Sequence, residues 1–130
     1  MANLTDAQEI RVTDYVFRGV TPAALTTPMR VQLVSALGTG DAASTPIATG
    51  TTPIINLSPT AAGSNPGSNS TILRWEGLPN PTTVAGFRVL DSTPTTPVVT
   101  LDNIAKNGGP VVVTDGIFEV AVGGITHTAA

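Results

Sequence analysis

Few side chains in this sequence can do chemistry. His127 is the single histidine, and a general base needs a partner within hydrogen-bond reach. It lies in the alternating run Ile125-Thr126-His127-Thr128, the setting of an exposed strand histidine. Members of a Ser-His-Asp set can be distant in sequence, so spacing leaves a hydrolase built on His127 open, but nothing resembles a nucleophile elbow. Asp102, Asn103 and Asp115 flank two turns and would supply hard oxygen ligands to calcium if a hairpin brought them together. The ordinary use of such residues is Asx-turn hydrogen bonding. Gly38-Thr39-Gly40-Asp41 carries a glycine pair, which cradles phosphate only between a strand and a helix, and here Ala-Ser-Thr-Pro follows. Trp75, between Arg74 and Glu76, could stack on a sugar or anchor a core or an interface. The sequons at Asn3, Asn56 and Asn69 are what an Asn/Thr-rich composition produces by chance. The expectation is no catalytic residue, no cofactor and no metal.

The elements that would position any site are built from an unusual surface. Charged residues are 12% of 130, and Thr, Ser, Asn, Gly and Pro stand where soluble proteins usually place charge. One hundred and thirty residues fit a single domain, 1–130. Aromatics are only 4%, so burial falls to Val, Ile, Leu and Ala, each worth at most about 1.5–3 kcal/mol when enclosed. A domain so poor in large side chains borrows burial from neighbours, which points to a homo-oligomer or lattice. The net charge of −3, with six basic residues scattered singly, argues against nucleic acid as a partner. No run approaches the ~20 apolar residues of a membrane span, and the start lacks the order of an export signal, so no membrane partner is expected. There is no cysteine for disulfides or thiolate sites.

Along the chain, 4–19 predicts one helix. Thr5 is placed to cap it with Gln8 as capping-box partner, Asp6 and Glu9 complement the positive end of the dipole, and Gly19 is placed to end it. Ala7, Ile10, Asp14 and Phe17 share a narrow face with Val16 beside it, while Arg11, Asp14 and Arg18 read as a solvated or inter-subunit face. If the Phe17 ring is buried, Phe17→Ala should lower stability or assembly by about 3–5 kcal/mol. After a Pro/Thr linker, 29–128 predicts a mainly β body. It has a half-buried strand at Met29–Ser35, long Pro/Thr/Gly-rich loops at 38–70 and 91–97, and a strand at Thr71–Trp75. A further strand is expected at Thr83–Leu90, with a bulge at Gly86, and another at Val98–Leu101. The turn Lys106–Gly109 should lead into Pro110–Val113, and the last strands fall at Ile117–Val122 and Ile125–Thr128. Short strands with turn signals every eight to twelve residues indicate an antiparallel β-sandwich with one N-terminal α-helix.

The order of elements carries a resemblance. Thr13-Asp14-Tyr15-Val16-Phe17-Arg18-Gly19, Met29-Arg30-Val31-Gln32-Leu33-Val34, Gly38-Thr39-Gly40-Asp41, Gly67-Ser68-Asn69-Ser70-Thr71-Ile72 and the closing 115–126 segment together resemble short β-rich virion proteins of tailed bacteriophages, especially actinobacteriophages. Thr83–Leu90 and the proline-rich Asp91–Pro97 depart from the family's aromatic-rich middle strand and Gly-Gly turn. The resemblance implies a non-enzymatic structural protein of the virion, assembled in the host bacterial cytoplasm. Its partners would be other copies and major capsid or tail proteins. A short, single-domain chain without fibrous repeats favours capsid decoration; the alternative is a tail fibre or minor tail protein whose loops bind a host-surface glycan. The expected assembly contacts are Tyr15, Phe17, Arg18 and Trp75.

Overall fold

A computed structural model describes residues 4–39, 42–47, 54–64 and 66–128. The chain is mainly β with one helix, α1, at Asp6–Arg18. The largest sheet is antiparallel and contains β1 (Arg30–Ala36), β2 (Thr45–Pro46), β3 (Ile55–Asn56), β7 (Gly86–Leu90) and β8 (Val99–Ala105). β1 is its centre. One edge of β1 pairs with β7, and β2 and β3 lie end to end along the other. Three two-stranded antiparallel ladders complete the body: β5 (Leu73–Trp75) with β10 (Phe118–Val120), β4 (Gly67–Ser68) with β11 (Thr126–His127), and β6 (Thr82–Val84) with β9 (Val111–Val113).

The core joins the sheet to the ladders in sandwich-like packing. Val31, Leu33, Phe87, Val89 and Ile104 of the sheet pack in one cluster with Leu73, Trp75, Val84, Val113, Phe118 and Val120 of the ladders. At its centre Trp75, Phe87 and Phe118 form an aromatic triad with ring centroids 6.0–6.4 Å apart. Three rings thus supply much of the bulk that the aliphatic side chains lack.

Several strand readings need correction. β1 is covered on both faces, not half-buried: Gln32 and Val34 are as buried as Val31 and Leu33, and Gln32 Oε1 accepts from Arg88 Nε at 2.7 Å. The run Thr83–Leu90 is two strands. It breaks at Ala85, so that β6 joins a ladder while β7 joins the main sheet. Gly86 is no bulge; a Cβ there would lie 2.1 Å from the Ile104 carbonyl oxygen, so glycine is required by the closeness of β8. The register shifts of β7 on β8 fall beyond it, around Val89. Asp102 and Asn103 lie inside β8 and do not lead out of it. The turn at Lys106–Gly109 is present, but it sends the chain to β6 instead of folding β9 onto β8. Within 38–70, expected as loop, lie the short strands β2, β3 and β4.

Asn69 ties the small ladders together. Fully buried, it donates from Nδ2 to the carbonyl oxygens of Thr71 (2.8 Å) and Ala121 (2.9 Å), and its Oδ1 accepts from Ile125 N at 3.0 Å. Its own backbone N–H donates to Ile125 O and its carbonyl accepts from Gly123 N. A sequon asparagine used in this way has no amide left for a glycan in the folded chain.

Candidate assembly surface

α1 is anchored to the body at its start. Leu4 bridges to Leu101, Thr5 N donates to Thr100 O at 3.2 Å, and Thr5 Oγ1 donates to Val99 O at 3.1 Å. The Thr5 hydroxyl is therefore spent on β8 and does not cap the helix, although Thr5 holds the extended N-cap conformation. Gly19 ends the helix in the left-handed region at φ 68°, as its lack of a Cβ allows.

Beyond its anchor the helix stands off the body, and Gln8 is its only buried residue. Residues 20–25 return beside it. Arg11 donates to Ala23 O and to Gln8 Oε1, and Pro22, Ala23 and Leu25 face Val12 and Tyr15 across a shallow recess. The return segment rejoins the body at Thr26, whose N–H donates to Asp91 at 3.1 Å. Helix and return segment together form an arm.

The arm carries the most exposed of the large apolar side chains, although Ile72, Val112 and Val122 of the body are exposed too. Phe17 is 87% exposed, Val16 73%, and Ile10, Val12, Tyr15 and Val20 are exposed as well. At 100° per residue, Tyr15, Val12 and Val16 share one face and Phe17 and Ile10 a second, with Glu9, Thr13 and Asp6 between them on one side and Arg11, Arg18 and Asp14 on the other. Ile10 and Phe17 thus lie on the narrow face expected with Ala7 and Asp14, whereas Val16 stands about 100° from Phe17, on the other apolar face. Arg18 and Asp14 pair at 2.5 Å on the polar side. Because the Phe17 ring is exposed within the chain, its loss cannot cost this monomer the energy of a buried ring.

Of the four expected contact residues, the structure brings three onto the arm: Tyr15, Phe17 and Arg18. Trp75 is corrected. It is 0% exposed at the centre of the aromatic triad, out of reach of a partner or a sugar.

The residues with chemical potential are dispersed. Asp102 accepts from Ser44 Oγ, Ser44 N and Asn103 N. Asn103, at φ 57°, accepts from Gly38 N at 2.8 Å and donates to Ala42 O, so the pair pins the loop after β1. Asp115 caps its own turn by accepting from Ile117 N. No three His, Asp or Glu side chains come together among the described residues. Gly38 is followed by β2 and not by a helix; Gly40 and Asp41, like Asn3, lie outside the described residues. Arg74 is held between Glu76 and Glu119, and its hydrogen bonds to them, Glu76 first, raise its pKa.

Sequence reasoning missed two features. Asp91 accepts four hydrogen bonds, from Thr26 N, Thr93 N, Thr93 Oγ1 and Val98 N, and so clasps the root of the arm to the β7–β8 connection. Burial raises its pKa, but these bonds outweigh that and hold it at about 2. Asp91-Ser92-Thr93, an Asx-turn pattern, was the available signal. The second is an open apolar pocket of about 270 Å³, with Val89, Leu101 and Ile125 in its wall and Leu57, Ala62 and His127 around them. It is assembled from four separate chain segments, so no local pattern announces it. No helix is long and apolar enough to cross a membrane among the described residues. No protein-family model, curated protein or solved structure matches this chain.

Proposed function

We propose that this protein is a non-enzymatic structural subunit of a tailed-phage virion, carried on the outer surface as a capsid decoration protein and seated through the α1 arm. The observation that carries the reading is the exposed apolar arm. Contiguous exposed apolar patches of several hundred Å² mark interaction sites, because leaving such area in water forfeits about 25 cal/mol for each Å² that docking would cover. The resemblance of the element order to short virion proteins points to the particle; the arm supplies the means of attachment. Partners are other copies of the chain and the capsid proteins beneath it. The alternative, a tail protein that binds a host-surface glycan, would have to use its loops, since Trp75 is buried and offers no exposed ring for stacking.

Quantitative mass spectrometry of purified virions tests this. Decoration requires a copy number comparable to that of the major capsid protein. A count of about three to six, the order of a tail symmetry element, refutes decoration and assigns the chain to the tail. Absence from purified particles refutes the virion reading altogether.

A further inference from the structure

We infer that the arm of one copy docks its Phe17 end into the apolar pocket on the body of a second copy, joining subunits head to tail. The inference rests on reading the arm as the attachment element, and it names what the arm attaches to.

Both halves of such a contact lie on one chain. The exposed apolar side chains of the arm lie on two faces; Val12 and Tyr15 look toward residues 22–25, while Ile10 and Phe17, on the other face, are left 60% and 87% exposed. The pocket is apolar and holds about 270 Å³. An apolar cavity of ~150 Å³ already takes up benzene, so a phenylalanyl ring fits with room for a neighbouring methyl group. Ala61, Ala62 and Gly63 on its margin present little side chain, so an incoming helix can approach closely.

The chain does not fill this pocket with its own Phe17, whose ring is exposed. Leu101 lines the pocket and also bridges to Leu4, so the arm is rooted beside it. A 13-residue helix is about 20 Å long, which carries Phe17 away from that root. Pairing of two arms is the other way to use a second copy, and it would leave the apolar pocket on each body unfilled. Because the two surfaces differ, the contact is heterologous and propagates into a ring or an open chain, not a closed two-fold pair.

The chain contains no cysteine, so introduced thiols report geometry directly. Thr21→Cys, four residues beyond Phe17, Ala62→Cys and the double variant replace exposed residues and keep the Phe17 ring, and Thr95→Cys serves as an exposed control outside the helix and the pocket lining. Far-ultraviolet circular dichroism checks that each keeps the wild-type fold. Mild oxidation of the double variant should give a ladder of covalent oligomers. Mixing the Thr21→Cys and Ala62→Cys single variants should give a disulfide-linked heterodimer, joined through positions 21 and 62, at least tenfold above the control. An internally cross-linked monomer, efficient dimerisation of Thr21→Cys alone, or no product above the control each overturns the inference. In parallel, Phe17→Ala should shift the sedimenting species of the cysteine-free protein to monomer while leaving its circular dichroism spectrum unchanged. Ladders from a protein absent from virions would leave this contact standing and remove the virion reading; virion incorporation without ladders does the reverse.

Discussion

Replacing Asn69 by alanine tests the least expected support of the fold. The amide side chain makes three hydrogen bonds to backbone groups of residues 71, 121 and 125, and the bond from Ile125 N is fully buried. Alanine leaves that N–H without a partner, at a cost of about 1–3 kcal/mol, and the two part-buried carbonyls regain water at a net loss of about 0.5–1.5 kcal/mol each. The sum, about 2–6 kcal/mol, is a large share of the 5–15 kcal/mol by which domains are usually stable. Trp75 is the single tryptophan and is fully buried, so its fluorescence reports global unfolding in urea without a label. The expected result is a lower midpoint at unchanged slope. Asn69→Asp should be worse than alanine at neutral pH, because it turns a carboxylate toward two carbonyl oxygens. A loss under about 0.5 kcal/mol for Asn69→Ala, below the worth of even one ordinary hydrogen bond, or an aspartate milder than alanine, would refute the argument that this amide clasps the ladders.

Asp91 has a folded pKa of about 2 against an ordinary 3.8, so its contribution is fully present above about pH 4 and is lost as the pH falls towards 2. Acid titration should show Asp91→Asn with a flatter acid limb than the wild type over that window; superimposable limbs would contradict this. Gly86→Ala should destabilise by about 3 kcal/mol or more, since the new methyl must displace the β8 backbone at Ile104; a wild-type thermal midpoint would show that the strands separate freely. Trp75→Ala should cost about 3–5 kcal/mol in chemical unfolding followed by circular dichroism, as for a large ring removed from a core, whereas a mild loss would mean the triad collapses around the gap.

The parts of the fold that were legible share a local cause. Thr5, the acidic first turn and Gly19 mark the helix ends through interactions within a few residues, and they place it to within two residues. The alternation around Phe118 and Val120 likewise marks β10, with both side chains inward. Where the readings failed, a distant segment competed. Thr5 gave its hydroxyl to Val99 because β8 lies beside it. The run Thr83–Leu90 was cut in two because its halves pair with strands from different parts of the chain, which no local periodicity records. The candidate surface divides in the same way: Tyr15, Phe17 and Arg18 were named from the helix alone, while the pocket became visible only once residues 57–68, 89, 101 and 125–127 had been brought together.

By itself the sequence determined a mainly β chain with one N-terminal helix, poor in charge and in large apolar side chains. Composition and short-range spacing encode propensity and periodicity, and those suffice for element type. Tertiary structure alone decided which apolar residues are covered. Trp75 and Phe17 are both large rings with a charged neighbour in sequence, yet one is enclosed by Phe87 and Phe118 and the other is left in water. The physical reason is that burial depends on what the rest of the chain places against a side chain, and the arm, anchored only at its ends, receives nothing from its own body.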